Sequence, residues 1–163
     1  MAKQEVKTDL RVAEQLKTSG IDFDAQGSDV EGINEALKTA SKRGTGKSGY
    51  PEYTAVIGDF VLVIEDKANL DKHIKLDDNN VLDLGTKAVT DYAVNGAVFY
   101  AKHIAQNSDF HEVFAVGVSG DEKHTASLPC SSTTGKGTLN WTTSNRSSFS
   151  LWTTSENTTS ATF

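Results

Sequence analysis

An α/β fold, with a mixed central sheet flanked by helices, is predicted by three observations. Two helical apolar stripes fill the first forty residues. A pair of β-rich apolar runs, Thr54 to Ile57 and Phe60 to Ile64, is joined by Gly58-Asp59, the signature of a tight hairpin. A long helical stretch then leads to a final apolar run at Val113 to Val118. A last strand reached through a crossover helix can pair in parallel with the hairpin.

The elements follow in order. Val6, Leu10, Ala13 and Leu16 recur at helical spacing before Gly20, so the first helix buries that face and stops there. Ser28-Asp29-Val30-Glu31 reads as a capping box, and Ile33, Ala36, Leu37 and Ala40 form one stripe before Gly44. The hairpin is followed by a polar loop through Asp77-Asp78-Asn79-Asn80. A single helix near Thr86 to Gln106 carries Val89, Ala93, Gly96, Tyr100 and Ile104 in register, with Tyr92 and Asn95 as candidates to line a cleft. No internal repeat is visible.

The chemistry is concentrated between Tyr50 and Lys67. A hairpin over this segment sets Glu52 beside Glu65 at its open end, and strand alternation puts Glu65 and Lys67 on one face with Asp66 on the other. Mg²⁺ takes few protein carboxylates and keeps waters that can meet phosphate oxygens. Two converging acids beside a lysine therefore suit phosphodiester hydrolysis, although an isolated acid-x-lysine is more often a solvated strand end. Asp59 is the competing first acid; it belongs to the turn, and Glu52 is preferred. Gly44-Thr45-Gly46-Lys47-Ser48 imitates the end of a phosphate-binding loop, but Ser41 stands where the full motif needs glycine and the segment follows a helix instead of a strand. His73, His103, His111 and His124 lack metal-ligand spacing.

Pro51-Glu52 followed by Glu65-Asp66-Lys67 resembles the PD-(D/E)xK nuclease superfamily, with glutamate where aspartate is usual. Glu35 to Lys42, Gly49 to Tyr53, Val63 to Ala68 and Lys87 to Ala97 together resemble the N-terminal nuclease part of bacterial restriction-modification proteins of the type IIG kind, over about residues 1 to 126. The resemblance implies a restriction-endonuclease-like core. It implies Mg²⁺ held by Glu52 and Glu65, water activated there as nucleophile, Lys67 aiding the attack, and Glu35 added from the preceding helix. Double-stranded DNA is the implied partner, with Lys42, Arg43 and Lys47 as backbone contacts. An adenine methyltransferase and a target-recognition region are expected in a full-length relative, and nothing here matches them. The alternative is a catalytically inactive DNA-binding or interaction module of the same fold.

Composition is ordinary for a globular protein, at 37% apolar and 23% charged. No unbroken apolar run is longer than Phe60 to Ile64, far short of the ~20 residues of a spanning helix, so no membrane partner and a cytoplasmic location are expected. Cys130 has no partner for a disulfide. The net charge of −6 is unfavourable for binding nucleic acid, but Lys38, Lys42, Arg43 and Lys47 cluster just ahead of Glu52.

From Ser127 to Phe163 the text changes, with 19 serines and threonines and Glu156 as the sole acid. A shift of reading frame near His124 accounts for this better than low complexity. Taking the last base of one codon with the first two of the next, both Trp141-Thr142 and Trp152-Thr153 require aspartate, and acids and apolar runs reappear elsewhere. The organisation expected is thus a nuclease-like domain at residues 1–126 and an unstructured Ser/Thr-rich tail at 127–163. Without Lys136, Arg146 and Glu156, the first part is one unit more acidic than the whole.

Overall fold

The computed structural model describes residues 2–120 and 125–133, with side chains over 7–120. The order is α1 (Ala2–Thr18), β1 (Asp24–Ala25), α2 (Glu31–Leu37), β2 (Tyr53–Ile57), β3 (Phe60–Lys67), a short 3-10 turn (Leu70–Lys72), α3 (Thr86–Asp91), α4 (Ala93–Asn107), β4 (Glu112–Gly120) and β5 (Thr125–Thr133). The five strands form one mixed sheet in the order β1-β2-β3-β4-β5. Only β3 and β4 are parallel, paired from Val61↔Val113 to Lys67↔Ser119. The other neighbours run antiparallel.

Strand alternation divides the core in two. Val61 and Val63 join Ile33, Leu37, Val94, Ala97, Val98 and Ile104 on the face covered by α2 and α4. Leu62 and Ile64 join Val12 and Leu16 on the face covered by α1. The β3 strand is buried on both sides, as a continuous apolar run requires. Among the described residues, no helix is long and apolar enough to cross a membrane.

Several expectations change in detail. The first helix buries Thr8, Val12 and Leu16, while Leu10 is 62% exposed; the apolar spacing misassigned the face because Thr8 enters the core by donating its hydroxyl to the Gly120 carbonyl. The expected capping box does not form. The N-cap is Val30, and the Ser28 hydroxyl instead donates to Asp24 and accepts from the Val30 amide. The stripe of Ile33, Ala36, Leu37 and Ala40 is buried as expected.

The single long helix is two helices broken at Tyr92, which is extended (φ −120°, ψ 137°). The Val94 amide, at the start of α4, donates to the His73 carbonyl at 2.9 Å. Asn95, fully buried, bonds to Lys75 N, Lys75 O and Asp83 O. Asn95 therefore ties the 73–83 loop to α4 and does not line a cleft, and Tyr92 lies under the Lys72 ammonium.

Strands β1 and β5 were not anticipated. The boundary expected at residue 126 falls inside β5, whose backbone pairs along β4 from Gly120↔Thr125 to Glu112↔Thr133. His124 and residues 134–163, with Trp141 and Trp152, lie outside the described residues.

Candidate active site

The hairpin builds the site. Its ladder runs from Ile57↔Phe60 at the Gly58-Asp59 turn to Tyr53↔Ile64 at the open end. Glu52 and Glu65 are the next residues on each strand. Gly58 takes φ +59°, the left-handed conformation a two-residue turn needs. Asp59 is exposed at the opposite end from the two glutamates, which leaves Glu52 as the acid that faces Glu65.

Glu65 continues the Val61-Val63 face towards α4 and is 1% exposed. Two ammonium groups compensate its charge: Lys42 Nζ lies 2.7 Å and Lys67 Nζ 3.8 Å from the same oxygen, Oε2. Lys42 donates a hydrogen bond to it and also lies 4.7 Å from the centre of the Tyr100 ring. Gly96, in the first turn of α4, leaves room for this contact. A Cβ there would stand 3.1 Å from both Glu65 Oε2 and Lys42 Nζ. Burial beside Glu65 and Glu52 raises the Tyr100 hydroxyl well above its ordinary range.

Glu52 is held by a residue that the sequence did not signal. Gln26 has a left-handed backbone (φ 56°), its amide donates to the Glu52 carbonyl at 3.1 Å, and its side-chain Nε2 donates to Glu52 Oε2. Burial, followed by the nearby Glu65 charge, raises the Glu52 pKa above the usual carboxylate range. Lys67 and Lys42 oppose that shift. Two carboxylates and two ammonium groups thus meet in one polar centre at the open end of the hairpin.

Asp66 points to the α1 face, as strand alternation predicts. It is 2% exposed, and its Oδ2 has no hydrogen-bond donor among the described residues. Burial, with Glu52 and Asp9 nearby, pushes its pKa up to about 8. On the same side the Tyr53 hydroxyl donates to Asp9; burial and that bond raise its pKa. Asp66 is thus a buried polar group of the opposite layer.

The remaining sequence candidates separate. Glu35 is exposed and its ion pair is with Lys38, so the structure does not bring it to the glutamates. Arg43 and Lys47 are exposed on the loop between α2 and β2, where Gly44 and Gly46 take φ +64° and +67°. Lys42, from the same loop, turns inward. His73 and Ser119 share a 2.9 Å hydrogen bond, and His103 meets Thr39.

Among the described residues no group of three or more His, Cys, Asp or Glu side chains is set to hold a metal. Two carboxylates with a bare glycine beside one of them still fit Mg²⁺, a hard ion that fills its octahedron largely with water. They do not fit Zn²⁺, which favours three or four nitrogen or sulfur ligands.

The fold and site together define an α/β protein with a buried acid-lysine cluster at the open end of a hairpin. The chain is similar to the type II restriction enzyme and methyltransferase RM.BcgI of Heyndrickxia coagulans, 34% identical over 126 residues, or 76% of this chain and 20% of that protein. A relationship to restriction-modification proteins follows, while the chain spans only about a fifth of the relative's length (20%). No protein-family model and no solved structure matches it.

Proposed function

We propose that this chain is the nuclease module of a restriction-modification protein, a PD-(D/E)xK endonuclease that hydrolyses phosphodiester bonds of double-stranded DNA with Mg²⁺. The observation carrying this reading is the pairing that leaves Glu52 opposite Glu65 at the hairpin's open end, with Lys67 3.8 Å from Glu65. Glu52 and Glu65 would hold the ion. When bound, Mg²⁺ supplies Lewis acidity towards a phosphate oxygen and lowers the pKa of water. Gln26 orients the Glu52 carboxylate. Lys67, fixed on β3, offers its ammonium to the charge that accumulates on the phosphoryl oxygens during attack. A second reading, an inactive DNA-binding or interaction module, is favoured by the absence of a third metal-ligating side chain among the described residues.

Calorimetry with Mn²⁺ separates the two. Weak binding at one site, removed by Glu65→Ala, supports the nuclease reading. Equal binding by wild type and mutant would place the ion elsewhere, with Asp77-Asp78 the next candidate, although the Asp77 carboxylate already accepts from the Asn79 and Val81 amides. In a DNA-cleavage assay, Lys67→Ala lowers the rate by about two to three orders of magnitude, as loss of an aimed charge does, with the circular dichroism spectrum unchanged. Undiminished cleavage would remove Lys67 from the site.

A further inference from the structure

Two lysine ammonium groups lie against one oxygen of the buried Glu65, and they differ in how they are held. Lys67 belongs to β3, fixed in the sheet by its pairing with Ser119. Lys42 comes from the loop after α2, which ends at Leu37, and just ahead of the glycines 44 and 46. Its ammonium is nevertheless the closer one, at 2.7 Å against 3.8 Å.

The seat of that ammonium is built for it. Lys42's side chain is 16% exposed, the Tyr100 ring lies beneath it, and Gly96 lacks the Cβ that would press on both partners at 3.1 Å. An ammonium over an aromatic face and against a buried carboxylate is stabilised twice, by the ring quadrupole and by the opposite charge. This is the environment of an internal counter-ion, unlike the exposed Arg43 and Lys47 on the same loop.

We propose that Lys42 is the resident counter-cation of Glu65, holding the cation position in the metal-free protein and yielding it when a divalent ion binds. The inference rests on the reading of Glu52 and Glu65 as ligands. A buried carboxylate without compensating charge is strongly disfavoured, and in the metal-free protein Lys42 is the nearer of the two charges that compensate Glu65. A divalent ion on the same oxygen would be repelled by an ammonium within hydrogen-bond distance, and that ammonium is Lys42's, carried on a loop with left-handed glycines at 44 and 46. Lys42 thus keeps the fold stable without metal and sets a threshold for metal entry.

The test is calorimetric titration of the full chain with Mn²⁺ at fixed pH and ionic strength. Lys42→Gln keeps a hydrogen-bond donor near Glu65 and removes the charge; Mn²⁺ affinity should rise roughly tenfold or more, the scale on which one adjacent charge moves a carboxylate's equilibrium. Lys42→Arg places a permanently charged fork on the carboxylate, and affinity should fall. Lys42→Gln should also melt below wild type in chelator and gain more in melting temperature from Mn²⁺.

Unchanged or weaker Mn²⁺ binding by Lys42→Gln overturns the proposal while leaving the ligand reading intact, provided wild type binds Mn²⁺. Binding by Lys42→Gln where wild type shows none supports it. If neither binds, the assignment of Glu52 and Glu65 as ligands falls and this inference with it. Should Lys42→Gln fail to fold, Lys42→Arg decides: weaker binding than wild type supports the proposal, and equal or tighter binding refutes it.

Discussion

Asp66 shows how one residue can carry a cost that its neighbours do not share. The backbone places it between Glu65 and Lys67, but its side chain enters the α1 layer, where Asp9 and the Tyr53 hydroxyl are its polar surroundings. Burial, then Glu52 and Asp9, raise its pKa from 3.8 to about 8. Between these values the folded chain binds a proton that the unfolded chain releases, so stability falls as pH rises through this window. Glu52, shifted in the same direction, adds to the slope. In chelator, the urea midpoint should therefore decline from about pH 4 to about pH 8, and Asp66→Asn should flatten that decline. A wild-type slope in Asp66→Asn would mean that Asp66 is ionised in the fold.

At the scale of elements, the packing of α4 on the sheet decides whether the site exists. Gly117 pairs with Glu65 in the β3-β4 ladder, and a Cβ on it would stand 2.4 Å from the Val94 amide nitrogen. Backbone cannot yield as a side-chain tip can, so Gly117→Ala must push the first turn of α4, with Gly96, away from Glu65. Overpacking of this kind costs about 1–3 kcal/mol. Urea unfolding should show that loss, and Mn²⁺ binding should weaken with it. A variant of wild-type stability and affinity would show that α4 is not what shapes the Glu65 pocket.

Such contacts explain what was legible in the sequence. The hairpin, its turn, the α2 stripe and the parallel last pairing are written in local periodicity and turn chemistry, and the structure contains them. Glu52 beside Glu65 follows from hairpin register alone. Gln26, Gly117 and the Tyr92 break were not legible, because each is set by a partner more than fifteen residues away: Glu52 for Gln26, Val94 for Gly117, His73 for the start of α4. Glu35 misled because it shares a helix with residues that do reach the core, while its own side chain faces outward to Lys38. Strand β5 escaped notice for another reason. A ladder is made by backbone groups, and its Ser/Thr-rich text alternates only briefly, at Ala126, Leu128 and Cys130, around a proline that argues against a strand.

For the whole molecule, charge is the governing quantity. A chain of net −6 repels DNA except where its cations converge, and each phosphate contact contributes close to one unit to the dependence of log affinity on log salt. The loop between α2 and β2 holds four cations, of which Lys38 pairs with Glu35, and the other three are not equivalent. Arg43 and Lys47 are exposed, whereas Lys42 is committed to Glu65. If DNA approaches along this loop, the double variant Arg43→Ala/Lys47→Ala should lower the salt slope by roughly two without changing the fold. Lys42→Gln, measured in chelator, should leave the slope unchanged because its charge is already spent on an internal carboxylate. Fluorescence anisotropy of a labelled duplex between about 50 and 200 mM salt resolves slopes of this size. An unaltered slope in the double variant would take the loop out of the DNA path. A reduced slope in Lys42→Gln would mean that its ammonium leaves Glu65 for phosphate without waiting for a metal, and that the counter-ion is already shared between site and substrate.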